Sequence, residues 1–145
     1  MPARDRYHER VKKALIKDGW TITDDPLHLK WGKKDLYVDL GAEKLLAAKK
    51  GAQKIAVEIK TFSGDSEVAD LQQALGQYFT YCAVMSRNYP DWILYIAVHE
   101  DVFIDVFEED PLGRLLLEDY KIPFLVFNPE QEVIARWIVW KNTGS

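Results

Sequence analysis

Three ionisable residues stand where apolar ones would pack more cheaply. Asp39 lies inside Leu36-Tyr37-Val38-Asp39-Leu40, and Glu58 and Lys60 lie inside Ile55-Ala56-Val57-Glu58-Ile59-Lys60. Residues two apart in an extended strand share a face, so Glu58 and Lys60 project together and Val57 and Ile59 project to the other side. A carboxylate and an ammonium buried in an apolar strand are costly unless they pair or bind a metal. An isolated Glu-x-Lys is most often an ion pair on a solvated strand face. Here the surrounding strand is apolar, an acid-bearing strand precedes it and a long helical stretch follows. On that stretch Gln73, Gln77 and Tyr81 fall at i, i+4 and i+8, on one helix face. A partly solvated helix would offer the same pattern.

The elements that must position these groups are legible from periodicity. Residues 4–18 carry Tyr7, Val11, Ala14 and Leu15 on one stripe and stop at Gly19, which predicts an amphipathic helix. Residues 20–23 and 27–31 read as short strands about the turn Asp24-Asp25-Pro26, and residues 36–40 as another strand after Gly32-Lys33-Lys34. Residues 42–50 have helical propensity but sit between two strands, so 36–60 is either a long hairpin, the favoured arrangement, or strand, helical loop and strand. The hairpin register decides which acid faces Glu58. A midpoint at residues 48–49 sets Asp39 opposite Glu58. A tight turn at 50–53 sets Glu43 opposite Lys60 and moves Asp39 about 20 Å away, at roughly 3.3 Å per residue. Residues 66–86 predict the strongest helix, with Ser66 or Asp65 as cap. Residues 92–98 predict a buried strand, 111–120 a helix opened by Pro111, 124–127 a strand, and 133–140 a final strand or helix. The order predicts an α/β fold with a mixed central sheet flanked by helices.

Composition narrows the class. With 145 residues, 48% hydrophobic and 29% charged, the chain is long enough for one domain with a core of its own, expected over residues 1–140 with a flexible tail at 141–145. A single cysteine, Cys82, excludes an internal disulfide and any multi-cysteine metal site; it falls on the apolar face of the long helix. No apolar run reaches the ~18 residues of a membrane span. The charged start, Arg4-Asp5-Arg6, is unlike a signal-peptide core, so a soluble, cytoplasmic protein with no membrane partner is expected. The five tryptophans read as core or interface residues. Net charge is −4, but it is segregated: residues 1–60 hold 14 Lys/Arg against 9 Asp/Glu, and residues 61–145 hold 5 against 14. One half suits a polyanion and the other a different partner.

The pattern Asp39-x18-Glu58-x-Lys60 with flanking helices resembles the PD-(D/E)XK nuclease superfamily. That resemblance implies a restriction-endonuclease-like αβββαβ core. It implies that Asp39 and Glu58 hold Mg2+ or Mn2+, that Lys60 orients or activates the attacking water, and that Gln73 or Gln77 and Tyr81 lie near metal and phosphate. Several branches also carry an acid on the first helix. Counting back from Leu15 and Gly19 lands on His8, not Glu9; His8 shares the Tyr7–Val11–Leu15 face and either packs or touches phosphate, whereas Glu9 points away.

Over the blocks at residues 6–20, 35–45, 54–62, 70–81 and 94–103 the chain is similar to the XisH family, the fdxN element excision controlling factors. The resemblance implies a role in controlling excision of a DNA element, with DNA and a XisI-type protein as partners. Two readings follow. One is a Mg2+-dependent endonuclease or nuclease-fold factor whose basic loops, Lys33-Lys34 and Lys49-Lys50, touch phosphates. The other is a non-catalytic adaptor that binds its partner through the acidic half. The small size leaves no room for a DNA clamp, so a homodimer or a partner chain is expected. A fold alone does not choose between them.

Overall fold

A computed structural model of the chain describes residues 6–46 and 51–140. The first element is α1, His8–Lys17, whose buried stripe of Val11, Ala14 and Leu15 follows the helical repeat. It ends where Gly19 adopts φ +94°, a conformation that costs other residues a clash. Strand β1, Thr21–Asp24, follows, and then β2, Leu27–Trp31, and β3, Lys34–Val38, pair antiparallel from Leu27 opposite Val38 to Trp31 opposite Lys34. The two-residue turn between them starts at Gly32 with φ +60°, as hairpin turns of this length require. This hairpin forms a two-stranded sheet of its own.

The chain bends at Asp39 and enters the main sheet as β4, Leu40–Leu45, which pairs antiparallel with β5, Ala52–Ile59. The predicted 36–40 strand is therefore divided between two sheets. Residues 40–45 are strand despite their helical propensity, because six cross-strand pairs with β5 outweigh a weak local preference. Helix α2, Glu67–Asn88, then crosses over to β6, Trp92–His99, parallel to β5. Ser66 caps α2, its hydroxyl accepting from the Ala69 amide. A short α3, Glu100–Val102, runs into a π-helical segment, Phe103–Glu109, and then α4, Pro111–Tyr120. Strand β7, Phe124–Asn128, lies parallel to β6, and β8, Val133–Ile138, returns antiparallel along the edge. The six-stranded order is β1-β4-β5-β6-β7-β8. This is the mixed sheet expected, with the β2–β3 hairpin inserted into its αβββαβ order. Among the described residues no helix is long and apolar enough to cross a membrane.

Strand alternation sorts the core into two layers. Ile55, Val57 and Ile59 of β5 pack with Val11, Leu15 and Trp20 on the α1 side. Ala56 faces the other side, with Tyr81, Val84 and Met85 of α2 and Leu27, Leu29 and Val38 of the hairpin. Phe103, Val106, Phe107 and Leu117 cover that second face further along, over Ile96 and Phe124. Glu58 and Lys60 have the parity of Ala56. They point toward α2 and the hairpin, not toward α1. Trp137 packs on Trp20 and Tyr95, and the Trp140 indole donates to the Ile122 carbonyl, so both serve the fold. The 141–145 tail lies outside the described residues.

Candidate active site

The β4–β5 register runs from Leu40 opposite Val57 to Leu45 opposite Ala52. Extended by one residue, it sets Asp39 against Glu58. The two acids are tied there by the backbone: the Asp39 amide donates to Glu58 Oε1 at 3.2 Å, and the Ile59 amide donates to Asp39 Oδ2 at 2.7 Å. Each carboxylate thus accepts one backbone amide from across the pair. Glu43 is opposite Lys54 instead, further along the same strands, so the tight-turn register does not occur and Glu43 does not face Lys60.

Glu58 is only 7% exposed. Burial, and next the Asp39 charge, push its carboxyl up to about 8, against the pull of the Lys60 charge and the Asp39 amide. Lys60 Nζ lies 3.4 Å from Glu58 Oε2 and donates to Gln77 Oε1. Tyr81, one turn beyond Gln77, is buried, and its phenol is raised above its ordinary range by burial and by the nearby Glu58 and Asp39 charges. The structure therefore brings Asp39, Glu58, Lys60, Gln77 and Tyr81 into one group. Gln73 sits beside it, lining with Lys60, Thr61, Ser63 and Asp70 a cleft of about 340 Å3.

The donor set suits a hard divalent cation. Two carboxylates on adjacent strands, each anchored by a backbone amide, match the one or two that Mg2+ takes while keeping waters and substrate oxygens. The raised Glu58 carboxyl is compatible with that reading: burial and the neighbouring Asp39 charge disfavour its ionised form, and a bound cation would favour it.

The other sequence candidates lie elsewhere. His8 is on α1, across the sheet, buried, with Nε2 2.6 Å from Asp25 Oδ1. Lys12 Nζ lies 2.7 Å from Asp25 Oδ2. Burial alone would raise Asp25, but the hydrogen bonds and charges of Lys12 and His8 outweigh it and hold its carboxyl below the usual range. Glu9 is exposed beside them, and one ligand atom from each of His8, Glu9 and Asp25 lies within 4.8 Å of the others. The Lys12 ammonium already supplies the positive charge a metal would bring. Asp25 escaped the sequence reading because its partners are far off in sequence; its position before Pro26 in a turn is the only local signal. Lys33 and Lys34 stand at the hairpin tip, on the same side of the sheet as the acids. Lys49 and Lys50 lie outside the described residues. Cys82 is half-buried beside Tyr78, and burial pushes its thiol up, away from the reactive thiolate.

Comparison with known proteins agrees over nearly the whole chain. The family model described as XisH protein matches residues 1–135. An XisH family protein from Nostoc punctiforme, solved by crystallography, is 36% identical with a TM-score of 0.82, covering 92% of this chain and 99% of its own. A fdxN element excision controlling factor protein from Anabaena variabilis is 40% identical with a TM-score of 0.81, covering 93% and 99%. No curated protein matches the chain.

Proposed function

The chain belongs to the XisH family, and on that premise we propose that it acts in the controlled excision of a DNA element as a nuclease-fold factor. Its site would be a Mg2+- or Mn2+-dependent phosphodiester-cleaving centre built from Asp39, Glu58 and Lys60. The observation that carries this is the buried Glu58, held against Asp39 across the β4–β5 pair with the Lys60 ammonium 3.4 Å away. A cation bound by the two acids would neutralise charge on the scissile phosphate and acidify a bound water.

The chain's own residues do the rest. Asp39 and Glu58 are fixed by backbone amides, so they need little reorganisation to bind. Gln77 holds Lys60 with its ammonium toward the acids, where it orients the attacking water. Tyr81 stays protonated and can donate a hydrogen bond to a phosphate oxygen. Gln73 lines the neighbouring cleft and contacts the substrate strand. The test is a nicking assay on supercoiled DNA with Mg2+ or Mn2+, comparing wild type with Glu58→Ala. Nicking by wild type alone supports the reading; identical behaviour of the two refutes it.

A second reading rests on a different observation. Phe79 and Tyr120 pack edge to face, both exposed, with exposed Leu115 on the acidic C-terminal half. That surface suits an adaptor role toward a XisI-type partner or a second copy of the chain. A stable complex together with no metal-dependent cleavage would favour it.

A further inference from the structure

The β2–β3 hairpin has two unlike faces. Leu27, Leu29 and Val38 face the core, and Leu36 packs against it. His28, Lys30, Asp35 and Tyr37 alternate with them and face out, and Lys33 and Lys34 form the tip. Tyr37 is 44% exposed. It stacks on His28, its cross-strand partner, with ring centroids 5.0 Å apart and planes 18° from parallel. Trp31, in phase with Leu27 and Leu29, lies on the other face, with the Arg87 guanidinium of α2 over its ring. The hairpin carries three lysines against one acid, and that acid, Asp35, is occupied by His28 at 2.7 Å.

Cross-strand ring stacking stabilises a hairpin by itself. It does not require Lys30 on the same face as the rings, or Lys33 and Lys34 at the tip beyond them. Positive charge with exposed aromatic rings is the combination that binds single-stranded nucleic acid: the charge tracks phosphates, and unpaired bases stack on the rings. A parallel pair can be extended by a third ring, whereas a paired duplex base has no free face to offer. Location adds to this. Only Val38 separates Tyr37 from Asp39, so their Cα atoms are at most about 7 Å apart.

We propose that the outer face of this hairpin is a binding track for single-stranded or locally unpaired DNA. Tyr37 and His28 form the stacking platform, and Lys30, Lys33 and Lys34 contact phosphates. The track leads a strand to Asp39, and so extends the nuclease reading by naming its substrate as DNA with unpaired bases.

The test is fluorescence anisotropy with a labelled thymidine oligonucleotide, alone and annealed to its adenine complement, in EDTA at low salt. The single strand should bind more tightly than the duplex. Tyr37→Ala should weaken single-strand binding by about tenfold. Tyr37→Phe, which keeps the ring, should bind as wild type and controls for folding. Duplex bound as tightly as single strand, or Tyr37→Ala binding like wild type, overturns the proposal. Metal is absent, so the result is independent of cleavage. Platform binding without any Mg2+-dependent nicking would sustain the track and refute the nuclease reading; nicking with an indifferent Tyr37→Ala would do the reverse.

Discussion

Two partly buried ionic groups flank the sheet, one on each face, and they are solved oppositely. On the α1 side, Asp25 accepts from His8 and lies 2.7 Å from the Lys12 ammonium, which together hold its carboxyl below the usual range. On the α2 side, Glu58 lies against Asp39 with the Lys60 ammonium 3.4 Å from its Oε2, and burial and the Asp39 charge push the Glu58 carboxyl up to about 8. The first group is electrostatically complete and ties α1 to the turn after β1. The second is incomplete while Glu58 is ionised, because two carboxylates then stand near one ammonium. Burying charge without compensation costs stability; a proton on Glu58 removes the excess, and in the proposed function a divalent cation would do the same.

That contrast can be broken by mutation, and the largest effect belongs to the incomplete site. Glu58→Ala should lower Mn2+ affinity and nicking by at least about a hundredfold, as expected when a group is lost from a metal centre. Stability should move in the opposite direction. A carboxyl whose folded pKa lies above its unfolded one favours the folded state fully below the unfolded value and loses that contribution as pH rises to about 8. In EDTA at pH 9, Glu58→Gln should therefore raise stability by a few kcal/mol, with little change at pH 4, as read by thermal melts. For the same reason, metal affinity of the wild type should climb with pH until about 8, because binding must displace a proton.

The complete site should respond with the other sign. Asp25→Asn leaves His8 and Lys12 without their carboxylate and should destabilise by about 2 kcal/mol. It should leave Mn2+ affinity unchanged, a combination that calorimetry and melts would show together. The smallest expected effect concerns the hairpin tip. Lys33→Ala with Lys34→Ala should reduce the log–log salt slope of DNA binding by about one or two units in a gel-shift series.

The same contrast shows what can be read from residues alone. Asp39, Glu58 and Lys60 were legible because they interrupt apolar strands, and Gln77 and Tyr81 because helical spacing fixes a face. The choice between Asp39 and Glu43 was not, since residues 42–50 favour helix locally and only pairing with β5 sets the register. The break at Asp39, which moves the chain from the hairpin to the main sheet, was also hidden: it depends on a backbone bond to a residue 19 positions away. Asp25 was missed for the same reason, its partners lying at His8 and Lys12. The π-helical segment did carry a signal, with Phe103, Val106 and Phe107 at helical spacing and buried, but Asp105 among them and the acids on either side mask it.

The most direct measurement is a Mn2+ titration of wild type and Glu58→Ala by calorimetry at pH 8, each followed by a nicking assay. Wild type should bind in the millimolar range or tighter, the variant should lose that binding, and cleavage should follow occupancy. Equal binding by both proteins, or none by either, would contradict the proposed function.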